Sequence, residues 1–178
     1  FKPRFSVGAG SDDSREVTLG VSGGNGQGWY NLGVSDYSTD GIDVKSPEED
    51  SHEPDKDGYD NRSYTLSGGY RFNEKVEAQL HWSQSRGDND YDSYFDAPWT
   101  TEVEPMTSWS DKSRLQSWGG SLLLSPLDGW NIKLSGGRTS DLQKHYDHGI
   151  YQYDYETERD TASLQSEHLI SSMSQLTW

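Results

Sequence analysis

The residues best suited to chemistry in this chain are aspartates that alternate with other residues beside glycine. The densest run is Pro54-Asp55-Lys56-Asp57-Gly58-Tyr59-Asp60-Asn61. Gly41-Ile42-Asp43-Val44 precedes it, and Asp88-Asn89-Asp90-Tyr91-Asp92 follows beyond a pair of strands. A hard cation such as calcium takes many oxygen ligands, and a glycine permits the sharp turn that gathers them. Any single aspartate here has a plainer use as a turn residue. The metal reading therefore rests on several of them converging, because strands four and five make the two loops neighbours. Asp55-Lys56-Asp57-Gly58 is similar to the start of an EF-hand loop, but no Glu stands at the twelfth position and no helices flank it. His145-x-x-His148, at strand spacing, points to two opposite faces and reads as part of a solvated loop; His81 reads as a hydrogen-bonding wall residue. No nucleophile–base–acid set, phosphate loop or cofactor motif is present, so the chain does not read as an enzyme.

Composition limits what can carry these loops. The 178 residues suffice for one domain, with 30 acidic against 15 basic side chains and a net charge of −15. That balance makes nucleic acid an unsuitable partner. The absence of cysteine excludes disulfides, thiol nucleophiles and thiolate metal sites. No apolar run of about 18 residues exists, so no transmembrane helix is expected. The opening Phe1-Lys2-Pro3-Arg4-Phe5 is no signal peptide. It starts in mid-strand, which leads to the expectation of a fragment of a longer protein. Only 30% of residues are hydrophobic, yet 12% are aromatic and 19 are glycine. A polar average with periodic apolar residues suits a wall that is apolar on one face only.

That periodicity predicts eight antiparallel strands, over residues 1–9, 15–23, 28–40, 61–73, 75–87, 112–125, 129–142 and 161–178. Long segments at 41–60, 88–111 and 143–160 are expected as loops. Leu32, Val34, Leu66, Leu80, Leu122, Ile132 and Leu134 fall on one face, with residues such as Thr65 and Gln79 on the other. Tyr30, Tyr70, Phe72, Trp130 and Trp178 lie toward the short turns, and Tyr64, Trp82 and Trp118 toward the long loops. The eight steps from Tyr64 to Phe72 cover roughly 26 Å, or close to 20 Å of height at a tilt of about 40°, near that of a lipid band. Short turns alternating with long loops complete the pattern of an antiparallel up-and-down transmembrane β-barrel segment, about eight strands of a larger barrel. A soluble β-sandwich would also alternate, but here the polar face is rich in Ser, Thr, Gly, Asn and Gln rather than Lys and Glu.

Thr39-Asp40-Gly41-Ile42-Asp43-Val44, Asp55-Lys56-Asp57-Gly58-Tyr59 and Asp90-Tyr91-Asp92-Ser93-Tyr94 resemble the outer loops of the TonB-dependent vitamin B12 transporters of Gram-negative bacteria. The resemblance runs over most of the chain, including Tyr70-Arg71-Phe72-Asn73 and Ser125-Pro126-Leu127-Asp128. It implies residues 1–178 of a partial receptor barrel, lacking the plug domain and the remaining strands of a 22-stranded whole. It further implies an outer-membrane location among lipid, cobalamin as substrate, and TonB as partner through the absent plug. Calcium is the implied ion. The ligands carried over are Asp43, Asp55, Asp57, Tyr91 through its main-chain oxygen, Asp92, and Asp111, whose spacing to the next strand departs from the family pattern. Two other readings stand beside it: a secreted calcium-dependent β-sandwich binding sugars or partners, and a siderophore receptor of the same barrel class.

Overall fold

The computed structural model describes residues 1–43, 56–92, 108–171 and 174–178. Among them there is no helix. The strands are β1 (Lys2–Ala9), β2 (Arg15–Gly24), β3 (Gly28–Thr39), β4 (Tyr59–Asn73), β5 (Val76–Asp92), β6 (Ser108–Leu127), β7 (Trp130–Asp147), β8 (Ile150–Ser171) and β9 (Ser174–Thr177). They form one open antiparallel sheet in which spatial order equals sequence order. No Greek-key crossing and no second layer occurs among the described residues.

The short turns are built from side chains that satisfy their own backbone. Asn25 Oδ1 accepts hydrogen bonds from the Gln27 and Gly28 amides at 2.9 and 2.8 Å, an Asx-type closure of the β2–β3 hairpin. Asn73 Oδ1 likewise accepts from the Lys75 amide at 2.8 Å between β4 and β5. These two turns and Asp128-Gly129 lie at one end of the sheet. The β3, β4, β5 and β6 ends at Thr39, Tyr59, Asp92 and Ser108 lie at the other, together with the β1–β2 and β7–β8 turns.

The cross-strand register places every residue of the expected apolar set on one face. One row runs Leu32–Leu66–Trp82–Trp118, and Leu122 stands opposite Leu134. The opposite face is a lattice of small polar groups that bond to one another along and across strands. Ser63 Oγ donates to Asn61 Oδ1 at 2.9 Å, and Asn61 Nδ2 donates to Ser85 Oγ at 3.0 Å. Ser163 Oγ donates to Ser135 Oγ at 3.2 Å. No hydrophobic side chain is buried among the described residues, and Leu80 is 71% exposed. The apolar face is thus covered by no part of the described chain.

The upper limit of the apolar run is oblique to the strands. It is marked by Val17, Val34, Tyr64, Trp82, Trp118, Leu134 and Ala162 on β2 to β8. The row through Val17 meets β8 at Glu156, by way of Asp36, Arg62, Arg86, Arg114 and Leu142. Ala162 is six residues nearer the short turns, so the edge descends about one residue per strand. With a rise of about 3.4 Å per residue and about 4.8 Å between strands, the edge makes an angle of about 35° with the rows. The strands are then tilted by that angle from the normal to the band, within the range of closed barrels.

The sheet extends further than the alternation implies. Among the described residues there are nine strands, not eight, because the expected 161–178 strand is divided into parts of β8 and β9. The expected loop at 143–160 is the upper part of the β7–β8 hairpin, and β4, β5 and β6 also run two to five residues beyond their expected upper ends. The physical reason is that polar and charged residues occupy both faces there. Above the apolar band neither face needs to be apolar, so the period-2 signal fades while backbone pairing continues. The hairpin turns on His148 and Gly149, with φ of 48° and 73°. Positive φ at both central residues is the two-residue type I′ arrangement, which His-Gly signals less clearly than Asn-Gly.

Candidate functional site

The candidate ligands other than Asp55 belong to the end of the sheet away from the short Asn25, Asn73 and Asp128 turns, on strand tips and the residues next to them. Gly41 has φ of 70°, and the Asp57 amide donates to the Ile42 carbonyl at 3.2 Å. The two ends of the 40–58 connection are therefore stitched together, with Asp43 and Asp57 on the two stitched segments. The Asp90 amide donates to the Gly58 carbonyl at 2.9 Å, which ties the tip of β5 to the same place. A Cβ built on Gly58 would stand 3.7 Å from Asp90 Oδ2, so this carboxylate lies close over the glycine. Asp90 is a neighbour that motif matching alone did not select.

Tyr91, Asp92 and Asp111 lie further along the rim. Tyr91 pairs with Trp109 and Asp92 with Ser108 in the β5–β6 ladder; Asp111 faces His145 across β6–β7. The Tyr91 hydroxyl donates to Asp111 Oδ1 at 3.0 Å. His145 Nδ1 is 2.6 Å from the same oxygen, close enough for ion pairing, but the angle is not that of a hydrogen bond, and the imidazole is only 12% exposed. Tyr153 and Tyr155 pack on the imidazole with ring centroids 4.5 and 5.6 Å away. Burial, then the hydrogen bond to the Asp111 carboxylate, hold the Tyr91 phenol above the ordinary tyrosine range. This group stands at the strand tip, fifteen residues from the start of β5.

Four of the candidate ligands therefore fall in two pairings: the Asp57 segment against the Asp43 segment, and Tyr91 against Asp111. Asp55 lies outside the described residues. Among the described residues no three His, Asp or Glu side chains are grouped closely enough to hold a metal. The donors that are present, carboxylates beside a glycine turn, are the hard oxygens a calcium ion takes.

No protein-family model matches the chain and no curated protein matches it. What defines it is the class of its fold, an all-β, up-and-down antiparallel sheet with one apolar and one polar face.

Proposed function

We propose that the chain is a wall segment of an outer-membrane β-barrel importer of the TonB-dependent vitamin B12 class, whose long-strand end binds calcium and receives the substrate. One observation carries the membrane part of this reading. A single sheet exposes a continuous apolar face to which no part of the described chain supplies a partner, and the edge of that face is tilted as in a barrel. A soluble sandwich would bury such a face against a second sheet; lipid is the alternative cover. No helix among the described residues is long and apolar enough to cross a membrane.

The calcium part rests on the resemblance and on the stitched 41–43 and 57–58 segments. Asp43, Asp55, Asp57, Asp92 and Asp111, with the Tyr91 carbonyl, would supply the ligands. Carboxylates held close repel one another, so calcium would draw the 40–58 and 93–107 connections together and pre-order the surface that meets cobalamin. The chemistry the ion supplies is charge neutralisation. The test is calcium titration and cobalamin binding on the protein carrying D55N and D57N. Weakened binding of both, with unchanged membrane assembly, is expected. Unchanged cobalamin affinity and an unchanged response to calcium would return these aspartates to the role of turn residues.

A further inference from the structure

Above the apolar edge, on the same face, the register sets like charges directly against one another. Arg62 is opposite Arg86, and Arg86 is opposite Arg114. One row further up, Lys112 is opposite Lys144. Directly opposed like charges destabilise a sheet, since their Cβ atoms are only about 4.5–5.5 Å apart. In a chain with a net charge of −15, such a concentration of cations needs a cause.

These five side chains line one open groove of about 550 Å³. They make up a third of the chain's 15 basic residues. Two are neutralised locally: Arg62 Nε is 2.6 Å from Asp36 Oδ2, and Lys112 Nζ is 3.2 Å from Asp88 Oδ2. Arg86, Arg114 and Lys144 have no carboxylate within ion-pairing distance among the described residues. Asp60 also lines the groove, so five cations face the three carboxylates of Asp36, Asp60 and Asp88, and the unpaired Arg86 and Arg114 guanidinium groups lie on adjacent strands at its centre. Arginine forks of this kind match the geometry of phosphate oxygens.

The height of the groove selects the source of the phosphate. Arg86 and Arg114 are each four residues above Trp82 and Trp118 on the same face, and Arg62 is two above Tyr64. Aromatic side chains of that kind mark the membrane–water boundary. Arginine stems can lie along the wall and lower their charge to headgroup level. We propose that the Arg62–Arg86–Arg114 groove binds the phosphate groups of a phosphorylated outer-leaflet lipid. The inference rests on the membrane reading above, because the groove faces lipid only if the apolar face does.

The protein, reconstituted in phosphatidylcholine nanodiscs containing diphosphorylated lipid A, tests it by native mass spectrometry of retained lipid. R86Q/R114Q should retain roughly thirtyfold less lipid A, at about 1 kcal/mol for each of the two cations near a charged membrane surface. R159Q, on the opposite face, should retain as much as the parent. In pure phosphatidylcholine R86Q/R114Q should be no less stable than the parent, because it removes opposed like charges. Undiminished retention by R86Q/R114Q, or loss of its stability without lipid A, overturns the proposal. Displacement of lipid A by inorganic pyrophosphate at equal concentration overturns the lipid as source. A nitroxide on L80C, in a protein with no native cysteine, keeps the two readings apart. If it meets oxygen more than an aqueous nickel complex while R86Q/R114Q retains lipid A, only this proposal fails. If it meets nickel more, the membrane reading fails with it.

Discussion

The same face of the same strands follows two rules at two heights. Below the row of Trp82 and Trp118 it is Leu80, Leu134 and Leu164, all exposed, with the half-buried Leu122, and none of them is charged. Above it come Arg62, Arg86, Arg114 and Glu156, then Asp60, Asp88, Lys112, Lys144 and Asp154. Backbone pairing continues through both regions, so hydrogen bonding does not account for the change. The surroundings do. The lower region is suited to a medium that cannot solvate charge, and the upper one to a medium that can.

Four substitutions would break or sharpen that contrast. The largest effect is expected from Leu80→Arg, about 2–4 kcal/mol of lost folding stability in lipid vesicles if Leu80 lies near the midplane. Gln79→Arg, one residue away on the polar face, should cost clearly less. Denaturant titration of both in the same vesicles decides the matter, and equal costs would remove the case for a lipid wall.

Next in size is Gly149→Ala. Nothing lies within 4 Å of a Cβ at this position, and φ is 73°, so the penalty is one of backbone conformation alone. About 1 kcal/mol is expected by the same titration. A neutral outcome would argue against the His148–Gly149 turn. Ser140→Arg is the third. It stands on the apolar face but above the band edge, beside Gln116 and Glu158, and should cost no more than about 1 kcal/mol, as near an interface. A cost matching that of Leu80→Arg would place the edge higher than Trp118.

The smallest effect concerns Tyr91. Its folded ionisation lies above that of a free tyrosine. The neutral phenol therefore contributes stability that is fully present below the unfolded value of about 10, and is lost as pH rises from there through the folded value. Asp111→Asn removes the charged acceptor and should move the ionisation of Tyr91 down. Ultraviolet titration of D111N, with Tyr91→Phe subtracting the signal of this phenol, measures the change. An unmoved titration would mean that burial alone raises it.

The lower region was legible because its constraint is written into side-chain alternation. Leu66, Leu80 and Trp82 against Thr65, Gln79 and His81 gave both the strands and their faces. The upper region was not, because Tyr151, Tyr153 and Tyr155 sit among acids, with water available to either face. Residues 143–160 thus read as loop, and the His-Gly turn that closes the hairpin is an uncommon one. The candidate site was legible in part. The aspartates flanking Gly58 were visible in the chain, as was Asp111. The closeness of Asp90 to Gly58, and the contact of His145 with Asp111, depend on pairings between strands that no local motif records. The arginine row needed the register too, since Arg62, Arg86 and Arg114 are far apart in sequence.

The simple strand order also sets a sequence of events in folding. Each strand pairs only with its neighbours in the chain, but the closures between them differ widely. β7 and β8 meet across two residues, whereas β3 and β4 must close the nineteen residues of 40–58. That difference is worth about 2 kcal/mol of loop entropy. The β7–β8 hairpin, with the β6–β7 turn at Asp128-Gly129, is therefore expected to form a nucleus at the C-terminal side. The β3–β4 pairing would follow as a later, slower registration. Pulse-labelled hydrogen exchange would show amides of residues 130–165 protected first. Earlier protection of the amides bonded in the β3–β4 ladder would reverse the order.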